Sequence, residues 1–421
     1  MVVGSLFAVQ TIVSGIYYSF SVFYVAVLEE FGWSRAAMAG VFSVNVLVSG
    51  LTGAVAGILV DRFGPRRVLP VGAALYALAL AATSRISAPW EYYFFFGIVG
   101  GVGYALVGWV PCIAVVSRWF SARRGAAMGI AGAGIGLGIA AVVPLSQYLI
   151  SGFGWRSAYL ILAALVLFGV IPQVELLLVD RPEDLGLTPD GLPPSPGTGR
   201  PLPAPRTVKM AVVDQEWASR PWTVTSAMRT HRFWLLLGVL LFGVFTNQML
   251  WVHQVAYLVD AGYGKMLAAS IVGLAGFLSI PGKILWGAAG DRLGRERAYT
   301  AGISIMLLAI VLLMLTSVVP ALWLVLLFAV VFPFGYAVTA PMGPAAAADI
   351  FAGKHFGAIF GVLNFGIGVG SALGPLTAGY VFDLTGSYVV AFCVGAVSSS
   401  AAVACMWLAA PGKVRRLVRG A

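Results

Sequence analysis

A chain of 421 residues that is 60% hydrophobic and only 10% charged cannot clothe a core for water, because ordinary soluble domains carry roughly a quarter of their residues as charges. This composition excludes a soluble enzyme and places lipid around most of the outside. The formal net charge of +10 raises nucleic acid as a partner, and the location of the basic residues decides against it.

Apolar stretches long enough to cross a hydrocarbon layer of about 30 Å at 1.5 Å per residue recur along the chain. Twelve spans are expected, and the first six are 3–29, 37–59, 66–86, 92–117, 126–150 and 156–178. The first begins almost at Met1, lacks a basic leader and runs into Glu29-Glu30, so it reads as a mature span and not as a signal peptide. A polar segment follows that includes Pro193-Pro194-Ser195-Pro196-Gly197 and Pro201-Leu202-Pro203, a composition that favours a linker over a packed domain. The last six spans are 233–258, 266–289, 297–317, 320–346, 356–381 and 388–410. The expected organisation is an all-α membrane protein of twelve transmembrane helices. It has an N-terminal six-helix bundle over 1–179, a cytoplasmic linker over 180–231, and a C-terminal six-helix bundle with a short tail over 232–421.

With both termini inside, Arg35, Arg85, Arg156 and Lys265 fall outside and Lys283 falls within a span. The other 21 of the 26 basic residues are then cytoplasmic, which is the bias that orients membrane proteins. Loops such as Arg62, Arg66, Arg67 and Arg118, Arg123, Arg124 therefore read as topology determinants and not as a nucleic-acid footprint. Cys112, Cys393 and Cys405 lie inside spans without metal-ligand or redox spacing and read as packing residues. No cofactor or metal is expected, and no Ser/His/Asp set or nucleotide loop is seen.

The two halves repeat. Gly57, Asp61, Arg62 and Gly64 recur as Gly287, Asp291, Arg292 and Gly294, displaced by 230 residues. Farther on the displacement is 232: Gly103-Tyr104-Ala105 matches Gly335-Tyr336-Ala337, and Gly125-Ala126 with Gly129 matches Gly357-Ala358 with Gly361. Such an internal repeat is the mark of a transporter built around a pseudo-two-fold axis.

The loop Gly57-Ile58-Leu59-Val60-Asp61-Arg62-Phe63-Gly64-Pro65-Arg66-Arg67 resembles the loop signature of the major facilitator superfamily, and the resemblance covers nearly the whole chain. It implies two pseudo-symmetric six-helix bundles and transport by alternating access. Charges at these helix ends can form charge-assisted bonds between the halves that break when the site changes sides, which makes Asp61, Arg62, Asp291, Arg292, Arg123 and Arg124 the gating candidates. The plainer alternative is that they cap helices and hold loops inside. Within the superfamily, three segments resemble the bacterial monocarboxylate carriers and the oxalate/formate antiporters. They are Tyr17-Tyr18-Ser19-Phe20 with Phe31-Gly32-Trp33-Ser34-Arg35, then Arg118-Trp119-Phe120 with Arg123-Arg124-Gly125, and Arg181-Pro182-Glu183-Asp184-Leu185-Gly186-Leu187.

An ionisable residue at membrane depth is by default a site. Lys283 lies in the eighth span, about 12 Å along the axis from Asp291, and His253 lies in the seventh, seven residues before Asp260. Helical side chains lean toward their own N-terminus, so on these oppositely running spans both lean toward the bilayer centre. Lys283 is expected to bind an anion and His253 to line the substrate path, against a bland reading of His253 as a hydrogen-bonded helix contact. Pro281-Gly282, just before Lys283, admits a bend. In the carriers that this chain resembles, an arginine at this place in the eighth span binds a carboxylate, and animal members put an aspartate four residues before it. Here the pair is Ser279 and Lys283, so the anion meets a point charge without the two-pronged grip of guanidinium. Tyr336 and Trp109 fall at or near positions where related carriers turn ring donors toward substrate, and Tyr18 and Asn247 complete the candidate set.

One deep cation suits an anion with one carboxylate, such as lactate or pyruvate, whereas a dianion leaves a charge uncompensated. The expected function is therefore monocarboxylate transport with a proton as partner. Organic-anion antiport of the oxalate/formate kind, export of a drug or metabolite, and a non-transporting sensor remain as alternatives.

Overall fold

The structure, a computed structural model, describes residues 2–120, 124–180, 182, 186, 188, 210–353 and 355–417. Among these residues, ten helical runs are long and apolar enough to cross a membrane. One of the ten is two helices that meet at Gly154, where φ is 78° and ψ is 157°, and Pro65–Thr83 is a further helix of 19 residues. Each of the twelve expected spans is thus a helix. In chain order they are α1 (Val2–Phe31), α2 (Arg35–Phe63), α3 (Pro65–Thr83) and α4 (Pro89–Trp119), followed by α5 and α6, the parts of Arg124–Leu177 before and after Gly154. The second set is α7 (His231–Asp260), α8 (Lys265–Leu293), α9 (Arg295–Leu315), α10 (Leu322–Ile350), α11 (Phe356–Thr385) and α12 (Val389–Ala409).

The helices form two compact units, Met1–Trp33 with Gly40–Thr207 and Ser34–Ala39 with Val208–Ala421. In the first unit, Gly134 and Gly138 of α5 lie against the carbonyls of Phe7 and Thr11 in α1. In the second, Gly366 and Gly370 of α11 lie against the carbonyls of Leu237 and Leu241 in α7. The glycines are displaced by 232 residues and the carbonyls by 230, so the sequence repeat is a packing repeat. Backbone approaches this close require small residues, because lipid supplies no hydrophobic force between helices and close contact must do so.

Part of the segment expected to be linker is folded. Strand β1 (Met210–Val212) pairs antiparallel with β2 (Arg415–Leu417), with Met210 opposite Leu417. Short helices at Gln215–Ser219 and Val224–Met228 follow. Trp217 donates its indole N–H to Ile350 O at 2.9 Å and packs on Trp222, whose ring meets Phe351 edge-on at 5.1 Å. The expected linker boundary at 231 is therefore too late: these tryptophans bury apolar surface against the second unit. The proline-rich stretches lie outside the described residues.

The chain turns between α2 and α3 at Gly64 (φ 82°, ψ 150°) and between α8 and α9 at Gly294 (φ 92°, ψ 156°). Glycine alone adopts this region without strain. A Cβ at Gly64 would also stand 2.6 Å from Asp180 Oδ2, the carboxylate that accepts the Arg66 N–H, whereas at Gly294 the nearest atom is 3.8 Å away. Alanine at either place is expected to cost about 1–3 kcal/mol in strain, with the Asp180 clash added at Gly64. Thermal unfolding of the purified proteins in detergent should rank wild type above Gly294→Ala and Gly294→Ala above Gly64→Ala.

Candidate functional site

Lys283 stands on α8 with its Nζ 5.8 Å from the centroid of the Tyr336 ring on α10, within cation–π range. The preceding Gly282 allows this approach, since a Cβ there would lie 3.0 Å from Ala337 Cβ. Pro281 is accommodated inside the continuous helix. Trp251 of α7 meets Tyr336 edge-on at 5.2 Å, and Phe332 packs beside it at 5.4 Å, so the ring is held by apolar neighbours. Among the described residues, Lys283 forms no ion pair and no hydrogen bond.

Around this cation the other candidates divide. Ser279, one turn before Lys283, is fully buried and donates its hydroxyl to Gly276 O at 2.7 Å, which leaves it no hydrogen to offer an anion. Asn247 donates Nδ2 to Thr339 Oγ1 at 3.0 Å, and the Thr339 hydroxyl donates to Tyr336 O at 2.8 Å. The Asn247 Oδ1 is buried without a hydrogen-bond partner. Asn247 and Trp251 share a face of α7 at i, i+4 spacing, so both look toward the Tyr336 region of α10.

His253 has a different setting. It is fully buried, with Nδ1 3.0 Å from Tyr388 Oη and Nε2 2.8 Å from Pro375 O. A residue lining an open path needs exposed surface, so the expectation of a path-lining His253 gives way here to a hydrogen-bonded helix contact. Tyr388 Oη also receives Arg35 Nη1 at 2.6 Å. Arg35 grips Asp260 through Nη1 at 2.7 Å and Nη2 at 3.0 Å and lies 3.7 Å over the Phe382 ring. Asp383 accepts the backbone N–H groups of Arg35 and Ala36, each at 2.8 Å. All of these residues belong to the second unit. Sequence reading missed the cluster, although Arg35 and Asp260 stood in it as the end of a motif and as a marker for His253.

Tyr18 and Trp109 belong to the first unit. Tyr18 is the last residue before the loosening of α1 at Ser19, and Trp109 follows the break of α4 at Gly108, where ψ is −143°. Tyr336 sits within α10, two residues before Val338, which keeps helical dihedrals (φ −63°, ψ −30°). Interrupted spans are where transporters build binding sites, and of these three aromatic candidates Trp109 is the one beside such a break.

Among the described gating candidates, the carboxylates Asp61 and Asp291 each pair with an arginine inside their own unit. Arg118, at the end of α4, donates to Asp61 Oδ1 at 2.8 Å and to Val60 O at 2.9 Å. Arg295 donates to Asp291 Oδ1 at 2.7 Å and to Asp349 Oδ2 at 2.9 Å. An arginine on an adjacent helix end satisfies each carboxylate at close range. Arg62 lies over the Phe63 ring at 5.3 Å, and Arg292 is exposed. Arg123 and the side chain of Arg124 lie outside the described residues.

Comparison with known proteins places this geometry. The model of the Major Facilitator Superfamily matches residues 6–332 and 279–421. Monocarboxylate transporter 13 of Rattus norvegicus is 28% identical over 94% of this chain and 85% of its own length. Monocarboxylate transporter 4 of Gallus gallus is 26% identical over 92% of this chain and 78% of its own. Among solved structures, a bacterial homolog of the human lysosomal transporter Spinster, inward-facing and unoccupied, superposes with a TM-score of 0.67 over 98% of this chain and 95% of its own, at 15% identity. That likeness is one of fold.

The two ion-pair groups differ in burial. Arg295 and Asp349 are 13% and 11% exposed, while Asp61 is 75% exposed. Removing the arginine from a buried pair strands a charge, whereas a surface pair contributes at most about 1 kcal/mol. Arg295→Ala is expected to destabilise by about 3 kcal/mol and Arg118→Ala by less than about 1 kcal/mol, read from unfolding midpoints in the same detergent.

Proposed function

The chain belongs to the Major Facilitator Superfamily, and from that premise we propose that it carries small monocarboxylate anions, of lactate or pyruvate size, across the cell (inner) membrane by alternating access with a proton as co-ion. It is a multi-pass membrane transporter and not an enzyme.

The observation that carries the substrate reading is the ammonium of Lys283, set against the Tyr336 ring with no carboxylate partner among the described residues. A cation in low dielectric is stabilised by the arrival of one negative charge, and a dianion would bring a second that nothing nearby compensates. The tryptophan and phenylalanine around Tyr336 suit the short apolar body of such an acid. Relatives that match over most of the chain carry the name monocarboxylate transporter, which supports the same cargo.

Binding of the anion neutralises Lys283 and lowers the barrier to exchanging which side of the membrane the site faces. One proton moving with one monoanion makes the cycle electroneutral. Among the described residues of the spans, His253, the imidazole buried in α7, is the group we assign to carry that proton. The distribution of arginine and lysine supports an orientation with both termini cytoplasmic.

In liposomes holding the purified protein, an inward acid gradient is expected to drive uptake of labelled lactate. Lys283→Ala should weaken the thermal stabilisation of the protein by monocarboxylates about 100-fold in concentration, the loss of a charge contact of about 3 kcal/mol. Lys283→Arg should retain part of it. Stabilisation that survives Lys283→Ala would remove the assignment of Lys283, and uptake indifferent to the gradient would remove the proton.

A further inference from the structure

The cluster around Tyr388 has a directional logic. Pro375 O only accepts, so His253 Nε2 carries a hydrogen, and in a neutral imidazole Nδ1 is then an acceptor. Nδ1 takes the hydroxyl hydrogen of Tyr388, whose oxygen in turn accepts from Arg35 Nη1. The relay therefore runs from Arg35 to Tyr388 to His253 to Pro375, with one hydrogen on each link.

A proton added at Nδ1 reverses the middle link. Tyr388 Oη must then accept from Arg35 and from His253 together, which brings two cations onto one oxygen in a poorly screened interior. Charged groups that act on His253 include Arg35, in the first turn of α2, and Asp383, near the end of α11. Tyr388, just before α12, and Tyr257, one turn along α7, are the titratable rings packed there. Asp383 already holds two backbone N–H groups and Asp260 already holds the guanidinium, so the repulsion falls on Arg35. Displacing Arg35 undoes its grip on Asp260 and loosens the turn that Asp383 caps.

We propose that Tyr388 is a positioning residue that couples protonation of His253 to a clasp formed by Arg35, Asp260 and Asp383 on the first turn of α2. Neutral His253 keeps the clasp shut, and a proton taken from water onto Nδ1 opens it. Residues 35–39 are the part of α2 that groups with the second unit, so opening the clasp frees that turn from its partners. The use of this step in a transport cycle rests on the proton-coupled reading above; the coupling itself does not need a substrate.

The test is hydrogen–deuterium exchange of the backbone amides of residues 35–38 in the full-length protein without ligand, each rate corrected for the pH dependence of the chemistry. From about pH 8 to about pH 3, a range carried below the one over which a solvated histidine changes charge, the wild type is expected to exchange about tenfold faster. His253→Gln, which can still donate to Pro375 O, and Tyr388→Phe, which keeps the ring packing on Phe382 and Phe392, should both lose that step. A flat wild-type profile overturns the proposal whether or not the variants fold. A step that persists in either variant and disappears in Asp383→Asn overturns it too, by assigning the effect to the cap. Lys283→Ala should keep the pH step. Loss of monocarboxylate binding in the wild type with the step intact would defeat the substrate reading and leave the clasp standing.

Discussion

In hydrocarbon a charge persists only beside an opposite charge, a ring face or water, and the described basic groups of this chain sort by which of these they have. Arg295 lies between two carboxylates, and Arg35 has a carboxylate, a hydroxyl and a ring. Lys283 has a tyrosine face. The first two are occupied in holding helix ends together, whereas Lys283 is the described cation of the spans whose electrostatic stabilisation is incomplete. Under the proposed function, a transported anion completes it.

The scaffold is symmetric and its chemistry is not. Glycines of α5 and α11 meet the carbonyls of α1 and α7 at matching places, and the turns at Gly64 and Gly294 share one rare backbone conformation. The ion pairs at these turns have diverged. The first unit answers Asp61 with an arginine at the end of α4, while the second answers Asp291 with Arg295 at the start of α9 and adds Asp349 at the end of α10. The membrane cation likewise appears in one unit alone among the described residues. Packing against a neighbouring helix tolerates little change, so it keeps the repeat visible; side chains at helix ends can exchange partners without moving the backbone.

For His253, helix direction gives the lean toward the bilayer centre, but burial and partners are set by α11 and by the residues before α12, 122 and 135 positions away in the chain. Ser279 stands one turn from Lys283, as its spacing requires, but its hydrogen belongs to its own helix. Charge marks Lys283 and resemblance marks Tyr336, each by itself, and their contact is the part of the site that spacing does not supply.

The amino-acid sequence by itself determined that this is a helical membrane protein of two repeated halves with a lone cation in the eighth span, because hydrophobic run length, basic-residue bias and a constant displacement are properties of a one-dimensional string. Tertiary structure decided which partner each polar group takes: Arg118 for Asp61, Arg295 for Asp291, Tyr388 for His253, the Tyr336 ring for Lys283. It also decided that Met210–Val212 and the short helices after it fold onto the second unit. The physical reason is that hydrogen bonds and ion pairs act over about 3 Å, a distance that only packed helices bring about, whereas the partition into lipid acts on whole segments and can be read along the chain.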